Sequence, residues 1–237
     1  MAGFAIASFG QGPITNGLIA RWPGDGNAKD SAGRFDGQVS GGVRYVPGPA
    51  RQAFQFDGGG SQVDFGTTAG NFGTRDFTIA YWMKTTTTVE EAFWGKRNVC
   101  QLGNWWNIRI GLAGDPPPSG IVNLELDDGT EDGHVSFVTT NRLNDGVWHH
   151  VVWERQSTSS GSITYLVFVD GALNNTLTHP FATDLRNSTP LVLGQNVCQG
   201  SDGTRSYLGA AADLQLFSHA LSEEEILAIY KAGLSGK

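Results

Sequence analysis

The chain has 237 residues, 33 of them glycine, with 16 Lys and Arg against 23 Asp and Glu for a net charge of −7. The acidic balance and the lack of any basic run argue against a nucleic-acid partner, whose phosphates need clustered cations. No apolar stretch approaches membrane-spanning length, which argues against membrane insertion. Val, Thr, Phe and Trp outnumber good helix formers, which favours an all-β protein of many turns.

The opening MAGFAIASFGQG is only briefly apolar and carries no basic n-region, so it does not read as a secretory signal. GLIARWP begins a series of strand-like segments, followed by QAFQFDG, SQVDFG and DFTIAYWMKT. In the last of these, Phe77, Ile79, Tyr81 and Met83 alternate with Thr78, Ala80 and Trp82, as in a strand covered on both faces. EAFWGKR, WNIRIGL, IVNLELDD, HVSFVTT, WHHVVWERQ, ITYLVFVDG, PLVLGQ and AADLQLFS continue the series. GDPPPSG reads as an exposed turn, because consecutive prolines cannot sit in a ladder. Asp170-Gly171 is a hairpin signal. His149 and His150 are strand neighbours that point to opposite faces, one to the core and one to solvent, so they cannot chelate together.

Only SEEEILAIYKAG reads as helix, with Ser222 and Glu225 as a capping box and Gly233 as the left-handed C-terminal residue. Ile226, Ile229 and Tyr230 form its packing face. Short strands at regular spacing without a composition shift predict one domain over 1–237, an all-β, two-sheet antiparallel jelly-roll sandwich with a short C-terminal helix. Asn174 and Asn187 lie in glycosylation sequons.

Two long stretches, NDGVWHHVVWERQSTSSGSITYLVFVDG and PLVLGQ through SYLGAAADLQLFSHALSEEEILAIY, resemble the laminin-G-like and pentraxin-like jelly rolls of the concanavalin A-like superfamily. ARWPGDGNAKDSAGRFDGQVSGG and RQAFQFDGGGSQVDFG fit the same pattern, so the resemblance covers most of residues 18–232. It implies a lectin, a carbohydrate-binding module, an adhesion module or a glycosidase, since one sandwich carries all of these. Calcium is common in that superfamily, and the resemblance implies a structural ion held by Asp25, Asn27 and Asp30 with Asp213 alongside. An Asx-rich turn bonding its own backbone is the competing reading. The paired calcium ions of pentraxins are not expected, because the acids that follow V-L-G-Q in that family are replaced by Asn196, Val197 and Cys198.

Superfamily glucanases carry E-x-D-x-x-E or E-x-D-x-E on one strand. LELDDGTE supplies Glu125 and Asp127 on one face, but Gly129 and Thr130 stand where the third acid belongs. Glu131, six residues after Glu125, lies about 20 Å along an extended strand, against the roughly 5–5.5 Å that a retaining pair needs.

The only two cysteines, Cys100 and Cys198, follow EAFWGKR and LVLGQ inside a shared NVCQ. Two isolated thiols fall short of a zinc site and lack the C-x-x-C of a redox pair. The resemblance brings their loops together on one surface and so implies a disulfide, with two separate buried thiols as the alternative. Arg97, Asn98, Asn104, Trp105 and Trp106 lie on one side; Gln195, Asn196, Gln199, Asp202 and Arg205 lie on the other. Aromatic faces amid amides and charges suit a sugar, with one of the adjacent Trp rings expected to face solvent. The expected function is a non-catalytic lectin or carbohydrate-binding module for a glycan or polysaccharide. It would be extracellular or cell-surface and able to belong to a larger multidomain protein. A protein-binding adhesion module and a glycoside hydrolase are the alternatives.

Overall fold

The structure, a computed structural model, describes residues 13–111, 120–199 and 203–235. The strands begin with β1 (Leu18–Trp22), β2 (Gln38–Ser40), β3 (Arg44–Pro47), β4 (Gln52–Asp57) and β5 (Gln62–Asp64). Next come β6 (Phe77–Thr85), β7 (Glu91–Lys96), β8 (Asn104–Ile110), β9 (Val122–Asp128) and β10 (Val135–Val138). Then follow β11 (His149–Ser157), β12 (Ile163–Val169), β13 (Ala172–His179), β14 (Val192–Leu193), β15 (Arg205–Ser206) and β16 (Leu208–Phe217). The helix α1 (Glu223–Ser235) ends the described chain.

These strands form two eight-stranded sheets. The first runs β13-β12-β11-β6-β16-β4-β3, with β1 also on β16; the second runs β10-β9-β8-β7-β14-β5-β2, with β15 on β7. β16 serves two partners in turn: Leu208–Ala211 pair with β4, and Leu214–Phe217 pair with β1. A bulge separates the halves, and Asp213 sits there at φ 48°. The sheets close on a slab of rings in which Trp94 meets Trp22, Tyr81 and Trp106 edge-on, at centroid distances of 6.2, 6.2 and 5.7 Å.

The period-two reading of β6 holds. Phe77, Ile79, Tyr81 and Met83 enter this core, while Ala80 and Trp82 turn outward beneath the helix. Four strands escaped the sequence pattern: β2, β3 and the long β13 are largely exposed and carry no apolar alternation, and β15 is only two residues long. The proline-rich turn expected at GDPPPSG lies, all but its last glycine, outside the described residues. Asp170 (φ 52°) and Gly171 (φ 80°) make the expected turn between β12 and β13. No helix among the described residues is long and apolar enough to cross a membrane.

The capping box forms: the Glu225 N–H donates to Ser222 Oγ at 3.3 Å, and the Ser222 N–H to Glu225 Oε2 at 2.8 Å. Gly233 does not end the helix. It lies inside α1, buried, where a Cβ would come within 2.5 Å of Trp82 Nε1, so glycine lets the helix settle onto the sheet. Tyr230 stacks on Trp82 at 5.6 Å, and His150 is buried beside both, its pKa pushed down to about 4 by burial. His149, on the opposite face, is clasped by Asp170 at 2.9 Å and Asp145 at 3.2 Å.

The start of the helix rests on a buried acid. Glu154 Oε1 accepts the Leu221 N–H at 2.7 Å and the Thr78 hydroxyl at 3.0 Å, and burial drives its pKa up to about 7. Because the folded value exceeds the ordinary 4.5, the neutral acid stabilises the fold. That contribution is whole below pH 4.5 and is lost as pH rises through 7. Urea unfolding followed across this range should show Glu154→Gln losing the wild-type slope, a difference of roughly 3 kcal/mol at most. Parallel curves for the two proteins would refute it.

Candidate ligand surface on the second sheet

On β8 and β9 the core takes Trp106, Ile108, Ile110, Val122, Leu124 and Leu126. Alternation therefore turns Trp105, Asn107, Arg109, Asn123, Glu125 and Asp127 to the outer face of the second sheet. The polar members are linked in a chain. Glu90 pairs with Arg109, whose Nε and Nη2 reach Glu125 at 2.9 and 2.5 Å, and Arg97 Nη1 meets Glu125 Oε2 at 3.3 Å. Arg97 also donates to the carbonyls of Val99 at 2.9 Å and Cys100 at 3.0 Å. Among the described residues, the Nδ2 atoms of Asn107 and Asn123 are buried and find no hydrogen-bond partner.

Cys100 and Cys198 are joined, with Cα atoms 5.2 Å apart and a sequence separation of 98. The bond holds the loop after β7 against the loop after β14. Beside it, Gln62, Asp64, Arg97, Gln195 and Asn196 converge on a cavity of about 320 Å³, with Pro190, Val192 and Val197 as its apolar walls. Gln195 Nε2 donates to Gln62 Oε1, and Asn196 Nδ2 donates to Asn107 Oδ1 at 3.4 Å. Asn196 Oδ1 accepts the Cys198 N–H at 2.9 Å, an Asx turn that sets the loop. Lys96 is buried near Asp64 and donates to the carbonyls of Thr67 and Thr189; burial lowers its pKa to about 8.

Of the residues expected at this surface, the structure gathers Arg97, Gln195 and Asn196 at the cavity and disperses the others. Trp105 and Trp106 are both buried, at 2% and 0% exposure, so neither offers a ring to solvent. Trp106 belongs to the core and donates to the Gly70 carbonyl at 2.8 Å. Trp105 does turn outward, but the Arg97 guanidinium lies 4.0 Å over its ring and His134 covers an edge. Asn104 is structural: its Nδ2 donates to the Asp184 carbonyl at 2.8 Å, and its own carbonyl accepts Asn187 Nδ2 at 2.6 Å. Asn98 and Arg205 are exposed away from the cavity lining; Gln199 donates to Ser206 Oγ, and Asp202 lies outside the described residues. Asn107, Arg109 and Asn123 escaped sequence reasoning. Their signal is the strict alternation of WNIRI and VNLEL, in which every second residue is polar.

The expected calcium cage does not fit. Asp30 spends both oxygens on backbone N–H groups of Arg21, Ala32, Arg34 and Phe35, at 2.8 to 3.0 Å. Asn27 Oδ1 accepts the Lys29 N–H at 2.9 Å, Asp25 pairs with Arg51 at 3.2 Å, and Asp213 pairs with Arg21 at 2.6 Å. These five oxygens face N–H donors, the arrangement of an Asx-rich turn rather than of a cation site. Among the described residues no group of three or more His, Cys, Asp or Glu is placed to hold a metal.

A glycosidase pair does not assemble here either. Both Glu125 oxygens accept guanidinium N–H groups, Asp127 accepts the Gly103 and Gly129 N–H groups at 2.9 and 2.7 Å, and Glu131 is exposed in the turn beyond β9.

A family model described as the concanavalin A-like lectin/glucanases superfamily matches residues 57–227. No curated protein matches the sequence. Domain 4 of AbnA, a GH43 extracellular arabinanase from Geobacillus stearothermophilus solved with arabinotriose, superposes with a TM-score of 0.67 at 16% identity, covering 90% of this chain and 98% of that one. The binding domain of botulinum neurotoxin DC is similar in two complexes. With SialylT the TM-score is 0.67, and with rat synaptotagmin II it is 0.64, both at 14% identity over 92% of this chain. This chain spans 52% of those neurotoxin chains. At such identities the likeness is one of fold.

Closing a loop of 98 residues restricts the unfolded chain strongly. Replacing both Cys100 and Cys198 by alanine should cost about 2–4 kcal/mol in a guanidinium melt, and wild type in excess reductant should match the double variant. Superimposable melts with and without the bond would show that the loops are held by other contacts.

Proposed function

This chain belongs to the concanavalin A-like lectin/glucanases superfamily, and we propose that it is a non-catalytic carbohydrate-binding module whose glycan sits in the cavity beside the Cys100–Cys198 bond. The observation that carries this reading is the convergence of Gln62, Asp64, Arg97, Gln195 and Asn196 on that one cavity. Planar amides donate and accept at once, as vicinal sugar hydroxyls require, while the Asp64 carboxylate accepts. Pro190 and Val192 supply the apolar contact for the C–H face of a ring. The engagement of Glu125 by two arginines supports binding without hydrolysis.

The arabinotriose held by the AbnA domain and the SialylT complex of the neurotoxin domain support sugar as the ligand class for this fold. The AbnA case also supports the role of a module within a longer extracellular protein, a setting in which the disulfide would persist. A protein partner is the second reading. It is favoured by Leu102 and Val197, 55% and 54% exposed on the two disulfide-linked loops, and by the synaptotagmin complex of the neurotoxin domain.

Glycan-array screening followed by calorimetry on the best ligand tests the proposal. Gln62→Ala and Gln195→Ala should each weaken binding about tenfold, roughly 1.4 kcal/mol. Leu102→Ser, on the disulfide-linked loop but outside the cavity lining, should leave it intact. A silent array, or wild-type affinity in both glutamine variants, refutes the sugar reading; loss only in Leu102→Ser favours the protein partner.

A further inference from the structure

Six of the seven tryptophans are buried; among the described residues Trp148 alone is only partly buried, and it lies on the opposite sheet from the cavity above. It leads into β11 and packs against a small outer cluster of Ala53, Trp82, Ala210 and Ala212. Its position is held from both sides: the Gly146 N–H donates to the Thr85 carbonyl at 3.0 Å, and His149 is clasped by Asp145 and Asp170.

The register places a row of side chains across four strands beside this ring. Arg44 pairs with Gln55, Gln55 with Ala210, and Ala210 with Lys84, so the row reads Arg44, Gln55, Ala210, Lys84 across β3, β4, β16 and β6. Their neighbours Tyr45, Phe54, Ala211 and Met83 pack into or against the inter-sheet core, so the row itself faces outward. Three strand spacings separate its ends, about 14 Å.

A cavity of about 510 Å³ opens over the row, lined by Val46, Pro47, Gln55, Lys84, Trp148 and Ala210 among others. The small Ala210 makes its floor and Trp148 one wall. Gln55 Nε2 donates to the Phe56 and Gly209 carbonyls, both at 3.0 Å, which leaves its side-chain oxygen as an acceptor. Lys84 is exposed and brings a full positive charge. Asp57 shares the face, but its carboxylate is turned to the Gly59 N–H and the Ser61 hydroxyl, at 2.9 and 2.8 Å.

We propose that this face is a second, independent binding site, for an oligosaccharide containing uronic acid. The ring stacks on Trp148, a hydroxyl donates to Gln55, and the carboxylate pairs with Lys84. Arg44 at the far end of the row meets the carboxylate of the next acidic residue. Aromatic stacking accepts any pyranose, whereas the two cations set the preference for acid.

Calorimetry with a trigalacturonate and with the trisaccharide whose carboxyl groups are reduced to alcohols tests this. Wild type should bind the acid at least tenfold more tightly, and 0.5 M salt should remove most of that advantage. Lys84→Met should bring the two sugars to near equality. Trp148→Ala should lose both, while Gln195→Ala on the other sheet should change neither. Absence of acid binding in wild type, an undiminished preference in Lys84→Met, or loss in Gln195→Ala overturns the proposal. Lys84 is exposed, so its variant decides the matter even if Trp148→Ala fails to fold.

Discussion

The edge-on contact of Trp94 and Trp106 at the centre of the sandwich places everything on the outside of the second sheet. A strand has only two faces. Once Trp106, Ile108 and Ile110 are drawn into the core, Asn107 and Arg109 have nowhere to go but out. β9 is held in register with β8, Asn107 opposite Glu125 and Arg109 opposite Asn123, so its polar residues fall on the same side. A slip of one residue would bury Arg109 and Glu125 among aromatic rings. The burial of apolar surface therefore dictates the arrangement of charge.

Packing that face with charge carries its own cost, because ions taken from water lose hydration that pairing only partly restores. The structure meets it by linking the groups rather than isolating them: Glu90, Arg109, Glu125 and Arg97 form one run of ion pairs. Arg97 adds two loop carbonyls and the face of Trp105. A guanidinium is suited to this, since its planar fork serves several acceptors while its face lies on a ring. The same engagement occupies both Glu125 oxygens and covers the ring of Trp105. The disulfide then holds the neighbouring loop where Gln195 and Asn196 meet this network.

Much of this was legible in the sequence. The alternation of DFTIAYWMKT marked a strand buried on both faces, and the capping box at Ser222 and Glu225 marked the helix start. The order of motifs carried the fold, and the fold in turn implied the Cys100–Cys198 bond. The errors share a cause. The tryptophans, the Asp-rich turn and Gly233 were judged by residue type and local spacing. Trp105 points outward as alternation allows, yet Arg97 covers it from another loop. Asp30 has the look of a cation ligand, yet the backbone around it turns four N–H groups inward. Gly233 stands where a cap belongs, yet Trp82, about 150 residues earlier, needs the space.

By itself, then, the sequence determined the sandwich, its strand faces and the helix, because apolar periodicity and capping act over a few neighbouring residues. Tertiary structure alone decided which polar groups remain available to a ligand. That choice rests on what each side chain meets across the fold. Arg97 reaching Glu125, Gln195 reaching Gln62 and Trp148 left only partly buried on the other sheet depend on contacts between segments that no local pattern encodes.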